Sequence, residues 1–215
     1  MSKKTRGSLI ILSGPSGAGK GTIYNELLKQ DDNLRVSVSM TTRSPRDGEK
    51  DGVDYHFVTE EKFKEEIDKG SFLEYALVHG NYYGTLKENV EKDLNKGHDV
   101  ILEIDIQGAL KVKENNEDGI FIFIMPPSMR VLRDRLVKRG TESKEKIIDR
   151  FKTAYKEINE MSKYNYVVIN DEVDMAVKKV QSIMLAERCR VDRIEDFDLN
   201  NQEELIHELL VDFNK

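Results

Sequence analysis

The stretch Ser8-Leu-Ile-Ile-Leu-Ser-Gly-Pro-Ser-Gly-Ala-Gly-Lys-Gly-Thr22 constrains the fold more than any other part of the chain. A short apolar run is stopped by Gly14-Pro15, which predicts a buried strand. The glycine-rich turn ends in Lys20, and Thr22 to Lys29 reads as a helix. Strand, glycine turn, lysine and helix in that order form a phosphate-binding loop. Glycines let the backbone wrap tightly around an anion, and the amides at the helix start point inward with the helix dipole behind them. Residues Gly14, Pro15, Ser16, Gly17, Ala18, Gly19, Lys20, Gly21 and Thr22 are therefore expected to cradle the donor's polyphosphate, with Lys20 following the transferred phosphoryl group. The hydroxyl that usually follows the lysine is replaced by Gly21. Magnesium is then expected to be held by nucleotide and water, with Thr22 touching a phosphate.

Val100-Ile-Leu102, Ile120-Phe-Ile-Phe-Ile124 and Tyr166-Val-Val-Ile169 read as further buried strands with helical stretches between them. That alternation predicts an α/β fold, a parallel sheet covered on both faces. Residues 37–87 differ, with polar residues, turn formers and short aromatic strands such as Tyr55-His-Phe-Val58, and read as an insertion. Between Lys144 and Met161 a helical stripe runs through Ile147, Ile148, Phe151, Tyr155, Ile158 and Met161.

The net charge of −6 is local: the segment from Val191 to Lys215 holds eight acids against two bases, so the rest of the chain is neutral. An acidic total therefore says nothing against a polyanionic ligand, and no basic surplus suits long nucleic acid. No run approaches the roughly 20 apolar residues of a membrane span. With Cys189 the sole cysteine, no internal disulfide can form, and a cytoplasmic protein is expected. His56, His79, His98 and His207 form no ligand pattern.

Five blocks carry a narrower likeness. Gly14-Pro-Ser-Gly-Ala-Gly-Lys20, Ser37-Val-Ser-Met-Thr-Thr-Arg-Ser-Pro-Arg46, Gly80-Asn-Tyr-Tyr-Gly84, Asp105-Ile-Gln-Gly108 and Arg139-Gly-Thr141 resemble guanylate kinase in order and spacing. The resemblance covers about residues 7–187. It implies a P-loop core at about 7–36, 88–125 and 160–187, a GMP-binding insertion of mixed α/β structure at about 37–87, and a helical lid at about 126–159. Residues 188–215 would form an acidic C-terminal extension, whose apolar residues Leu205, Ile206, Leu209, Leu210 and Phe213 leave self-association open.

The family transfers a phosphoryl group from ATP, with magnesium, to GMP. By resemblance, Arg43, Arg46, Tyr55 and Tyr83 would hold the GMP phosphate, and Ser39, Glu74, Thr85 and Glu103 would read guanine. Glu103 stands where many relatives carry Asp. Arg135, Arg139 and Arg150 would meet the ATP phosphates, and Asn170 lies where the family contacts adenine. The other charges of the lid region, seven bases and six acids including Glu157, read as a solvated face.

The chemistry of these residue types agrees. Two guanidinium forks suit a phosphate dianion. A carboxylate accepts from both guanine N1–H and N2–H₂, whereas adenine offers an acceptor at N1 and would leave the charge unpaired. Glu103 and Asp105 share one face at a strand's C-terminal end, where open α/β sheets gather ligands. Asp105 would either organise magnesium-bound water or make a structural hydrogen bond. Two other functions stay open at this level. One is a guanylate-kinase-like module that binds phosphorylated peptides without catalysis. The other is a nucleoside monophosphate kinase with a different acceptor.

Overall fold

The computed structural model describes residues 6–78, 80–138, 144–193, 206–207 and 209–210. In chain order the elements are β1 (Leu9–Ser13), α1 (Lys20–Gln30), β2 (Leu34–Val36), β3 (Met40–Thr41), β4 (His56–Phe57), α2 (Glu60–Asp68), β5 (Phe72–Val78), β6 (Asn81–Leu86) and α3 (Lys87–Asn95). There follow β7 (Asp99–Glu103), α4 (Ile106–Asn115), β8 (Ile120–Met125), α5 (Met129–Lys138), α6 (Lys144–Ile158), a 3₁₀ turn (Asn159–Lys163), β9 (Tyr166–Ile169), α7 (Val173–Arg188) and a last 3₁₀ turn (Val191–Arg193).

Strands β2, β7, β1, β8 and β9 form an all-parallel sheet in that order. Every residue of β1 is buried, as a central strand covered on both faces requires. Alternation sorts its side chains. Ile10 and Leu12 face α1 and α7, packing with Ile23, Leu27, Val177, Val180 and Met184. Leu9 and Ile11 face α3 and α4, packing with Val90, Leu94, Ala109 and Val112. Truncating one of these fully buried aliphatic side chains to alanine costs about 2–5 kcal/mol. The sequence showed no β2, because that edge strand is short and only Leu34 of its residues is buried.

A second, mixed sheet has the order β4-β3-β6-β5, with β3 parallel to β4 and antiparallel to β6. Its core is small: Met40, Phe63 and Phe72, with Phe63 of α2 stacked on Phe72 at 4.4 Å between ring centroids. Thr59 caps α2 by accepting the Lys62 N–H. Register slips between Phe72 and Glu74, the mark of a β-bulge. Phe72 enters the small aromatic core while Leu73 packs with the main core beside α4, so the bulge joins the two sheets.

Helices α5 and α6 pack on each other through Leu132, Leu136 and Ala154, with Phe151 and Ile158 against them. The apolar stripe expected on α6 is therefore narrower than its periodicity implied. Ile148 and Tyr155 are exposed, because a two-helix hairpin buries only one seam. In the tail, Ile206, Leu209 and Leu210 are helical and exposed. Leu205 and Phe213 lie outside the described residues.

Candidate active site

The loop between β1 and α1 opens at the carboxyl end of the parallel sheet, as the strand-turn-helix pattern requires. It walls a cavity of about 280 Å³ together with Glu103, Ile104 and Asp105 after β7, and Glu157 of α6. Gly19 caps α1 with φ of 92°, a left-handed conformation that disfavours any side chain. A Cβ on Gly19 would also overlap the Asn170 side-chain amide. Lys20 donates to the carbonyls of Gly14 at 2.6 Å and Pro15 at 3.2 Å. Thr22 sits on the first turn of α1 and is exposed.

The loop is gripped from behind. Asn170, 2% exposed, donates through Nδ2 to the Ala18 carbonyl at 2.8 Å. Arg135 donates to the same carbonyl at 3.2 Å and to the Asn170 carbonyl at 3.1 Å. Arg150 donates to Ser16 Oγ at 2.6 Å. Two of the three arginines expected at the donor's phosphates thus already touch the loop; Arg139 lies outside the described residues. Asn170 keeps one buried acceptor, Oδ1, without a hydrogen-bond partner.

Residues from the mixed sheet and its loops form a second cluster, aromatic and charged. Arg43 lies over the Tyr55 ring at 5.5 Å and beside the Phe57 ring at 5.8 Å, a cation–π arrangement. Tyr55 and Tyr83 meet edge to face at 5.9 Å. The Arg43 guanidinium also pairs with Glu49 at 2.9 Å, and Glu49 accepts the Arg46 backbone N–H at 2.7 Å. These partners, with Arg43 and then the Arg46 N–H foremost, hold the Glu49 carboxyl below its usual range. The structure brings Arg43, Tyr55 and Tyr83 together, whereas the Arg46 side chain is exposed. Ser39 is half-buried, and its carbonyl accepts the His56 N–H.

Glu74 is buried and accepts from Thr85 Oγ1 at 2.8 Å. Burial pushes its carboxyl above the usual range; Thr85 opposes the rise, and the Asp105 charge adds to it. Gly108 permits this approach, since a Cβ there would lie 3.1 Å from Glu74 Oε2. Asp105 caps α4, accepting the Gly108 N–H at 2.7 Å, so one of its oxygens makes the structural hydrogen bond that the sequence left open. Asp105 is thereby a shared wall, lining the loop cavity on one side and influencing Glu74 on the other.

Glu103 reaches Gly21, where a Cβ would stand 3.3 Å from its Oε2. The missing side chain of Gly21 leaves room for the longer acid. Tyr24, one turn along α1, has its hydroxyl pushed up to about 12 by burial, with smaller contributions from Glu103 and Tyr55. Glu103 thus stands beside the loop, and the Tyr24 hydroxyl is influenced by it and by Tyr55 of the aromatic cluster. Sequence reading missed Tyr24 and Glu157. Neither belongs to a recognisable motif, and Glu157 looked like one more lid charge.

A larger cavity, about 760 Å³, lies at the opposite end of the parallel sheet, lined in part by Arg6, Asp99, Arg188 and Arg193. Its principal charges are spent on the fold: Asp99 accepts the Ser8 N–H and pairs with Arg188, and Arg193 pairs with Glu187. The loop cavity is the better candidate, since it combines inward amides with a lysine at the ligand-binding end of the sheet.

The guanylate kinase family profile matches residues 6–187. A guanylate kinase of Clostridium perfringens (strain SM101 / Type A) is 60% identical over 98% of this chain and 97% of its own length. One from Clostridium tetani (strain Massachusetts / E88) is 59% identical over 96% and 99%. The crystal structure of guanylate kinase from Anaplasma phagocytophilum superposes with a TM-score of 0.70 at 38% identity, covering 88% of this chain and 90% of that one.

Proposed function

This chain belongs to the guanylate kinase family, and from that premise we propose that it transfers the γ-phosphoryl group of ATP to GMP, giving ADP and GDP. One observation carries the reading: Asp105 connects a lysine-bearing phosphate loop to a buried carboxylate, Glu74, suited to guanine.

The donor's phosphates lie on the amides of 14–22, with Lys20, Arg135, Arg139 and Arg150 offsetting their charge, and adenine lies toward Asn170. The acceptor's phosphate lies against Arg43, Arg46, Tyr55 and Tyr83. Glu74, held by Thr85 with Ser39 and Glu103 nearby, accepts from the guanine N1–H and N2–H₂. Residues 37–87 serve as the acceptor-binding insertion and 126–159 as the lid.

Phosphoryl transfer needs alignment and charge neutralisation more than covalent help from the protein. The second phosphate ionisation falls near pH 6, so GMP arrives largely as a dianion and needs no general base. The barrier to alignment is repulsion between two polyanions, which the ammonium and guanidinium groups reduce. Lid closure excludes the water that would hydrolyse ATP.

Magnesium, bound with ATP, would supply further neutralisation of the β and γ oxygens. The residues fit a metal held mainly by nucleotide and water. Gly21 offers no hydroxyl, and no group of three or more acidic, histidine or cysteine residues able to hold an ion occurs among the described residues. Asp105 and Glu103 are the carboxylates placed to accept from metal-bound water.

A panel of GMP, AMP, UMP and CMP with ATP and magnesium tests the proposal through ADP release. Release with GMP and at least a hundredfold slower release with the others is expected. No release with any acceptor would leave a non-catalytic module, and comparable AMP turnover would remove Glu74 as the guanine reader.

A further inference from the structure

Helix α6 presents two charged side chains to the phosphate loop. Arg150 donates to Ser16 Oγ at 2.6 Å, and seven residues on, two helical turns along the same face, Glu157 lines the loop cavity beside Ser16. The carboxylate lines the loop cavity with Gly14, Gly17, Gly19, Lys20 and Asp105. One of its oxygens, Oε2, is buried without a hydrogen-bond partner. An unsatisfied carboxylate oxygen within a cavity built to bind phosphate carries an energetic penalty. Burial raises the Glu157 carboxyl above its usual range, and Asp105 contributes, while the Ser16 N–H and Lys20 pull it back.

The loop's amides are the groups that a donor phosphate needs. A carboxylate lining the loop cavity is an anion in the path of another anion. The Ala154, Phe151 and Ile158 seam, on the same helix, ties that carboxylate to the lid hairpin. Moving Glu157 off the loop therefore requires α6 to shift, or the side chain to swing toward solvent.

We propose that Glu157 is a positioning residue that occupies the phosphate side of the loop and yields to the donor, so that binding of the nucleotide's phosphates and release of α6 from Ser16 are one exchange of anions. The inference rests on the phosphotransferase reading of the loop. The coupling is reciprocal, as any linkage between two equilibria must be. Whatever weakens the hold of Glu157 on the loop strengthens nucleotide binding, and the reverse.

Glu157→Gln keeps the side chain's size and an acceptor oxygen and removes the charge. Calorimetric titration with ADP and excess magnesium should give at least threefold tighter binding than wild type, with GMP affinity unchanged. Steady-state kinetics should show a lower KM for ATP, and kcat unchanged or reduced because the lid loses its preference for the loop. Glu157→Asp, which keeps the charge on a shorter arm, should fall between the two. Merely structural damage would weaken ADP binding, and would lower the melting temperature without the ordering Gln, Asp, Glu. Equal or weaker ADP binding by Glu157→Gln, with wild-type binding intact, overturns this inference and leaves the activity assignment standing. Absence of ADP binding in wild type and variant alike overturns both.

Discussion

The proposed donor and acceptor walls are built by opposite means. On the donor side the ligand groups are backbone amides, fixed by a loop whose Ala18 carbonyl is held by Asn170 and Arg135, over a core of fully buried aliphatic residues. On the acceptor side they are long side chains on a small sheet whose own core is three buried residues. Those side chains are already engaged: Arg43 with Glu49 and two aromatic rings, Glu74 with Thr85. Amides held in place lose little further freedom on binding, whereas self-paired side chains must exchange partners. On the proposed reading, the donor wall contributes strength and the acceptor wall contributes choice between bases.

The largest expected effect lies on the donor wall. Lys20→Ala removes a full charge that can follow the phosphoryl group into the transition state. It should lower kcat at least a hundredfold, about 2.7 kcal/mol of barrier, with GMP binding preserved. Steady-state turnover near wild type would mean that the amides alone suffice and that Lys20, which lies on the loop's own carbonyls, is only structural.

The same division explains what the sequence revealed. The parallel core could be read because its strands are continuous apolar runs, and Tyr166–Ile169 appears with the expected bounds. The phosphate loop follows from spacing, since glycine and lysine positions fix backbone geometry directly. The acceptor wall has no such local signal. Glu74 looks like any carboxylate on a strand until the β-bulge and Gly108 bury it, and both depend on contacts distant in sequence. Only the likeness to a family singled it out. Glu157 went unread for the same reason: helical spacing puts it on the face of Arg150, but nothing in the sequence says that this face meets the loop.

Glu74→Gln probes choice rather than strength. A carboxamide keeps the Thr85 hydrogen bond but presents one acceptor and one donor to guanine's paired donors. A ten- to hundredfold fall in kcat/KM for GMP is expected, about 1.4–2.7 kcal/mol, with ADP affinity unchanged. Stability should move the other way. Because Glu74 has its carboxyl raised in the fold, the folded state holds the proton more tightly than the unfolded chain. The stability this gives is present below the unfolded pKa and is lost as pH rises through the folded value. At neutral pH the glutamine variant escapes that loss and should melt higher than wild type, with the gap closing as pH falls toward the ordinary carboxylate range. Equal loss for both nucleotides, or a lower melting temperature, would mean that Glu74 shapes the sheet rather than reading the base.

The smallest effect concerns the internal partner of Arg43. Glu49 takes the guanidinium that the GMP phosphate is proposed to need, and at the same time ties down the Arg46 backbone. If partner exchange limits the acceptor wall, Glu49→Gln should lower the KM for GMP two- to threefold and leave kcat and ADP affinity alone. If Glu49 instead pre-orients Arg43 over the Tyr55 ring, KM should rise by a similar factor. The comparison of the two walls favours the first result. Glu49 and Arg43 keep part of their side chains exposed, so the pair can exchange partners with an incoming phosphate, while the Tyr55 and Phe57 rings keep the guanidinium in place without the acid. A raised KM would show the acceptor wall to be as pre-built as the donor loop, and the contrast between them would then reduce to backbone against side chain.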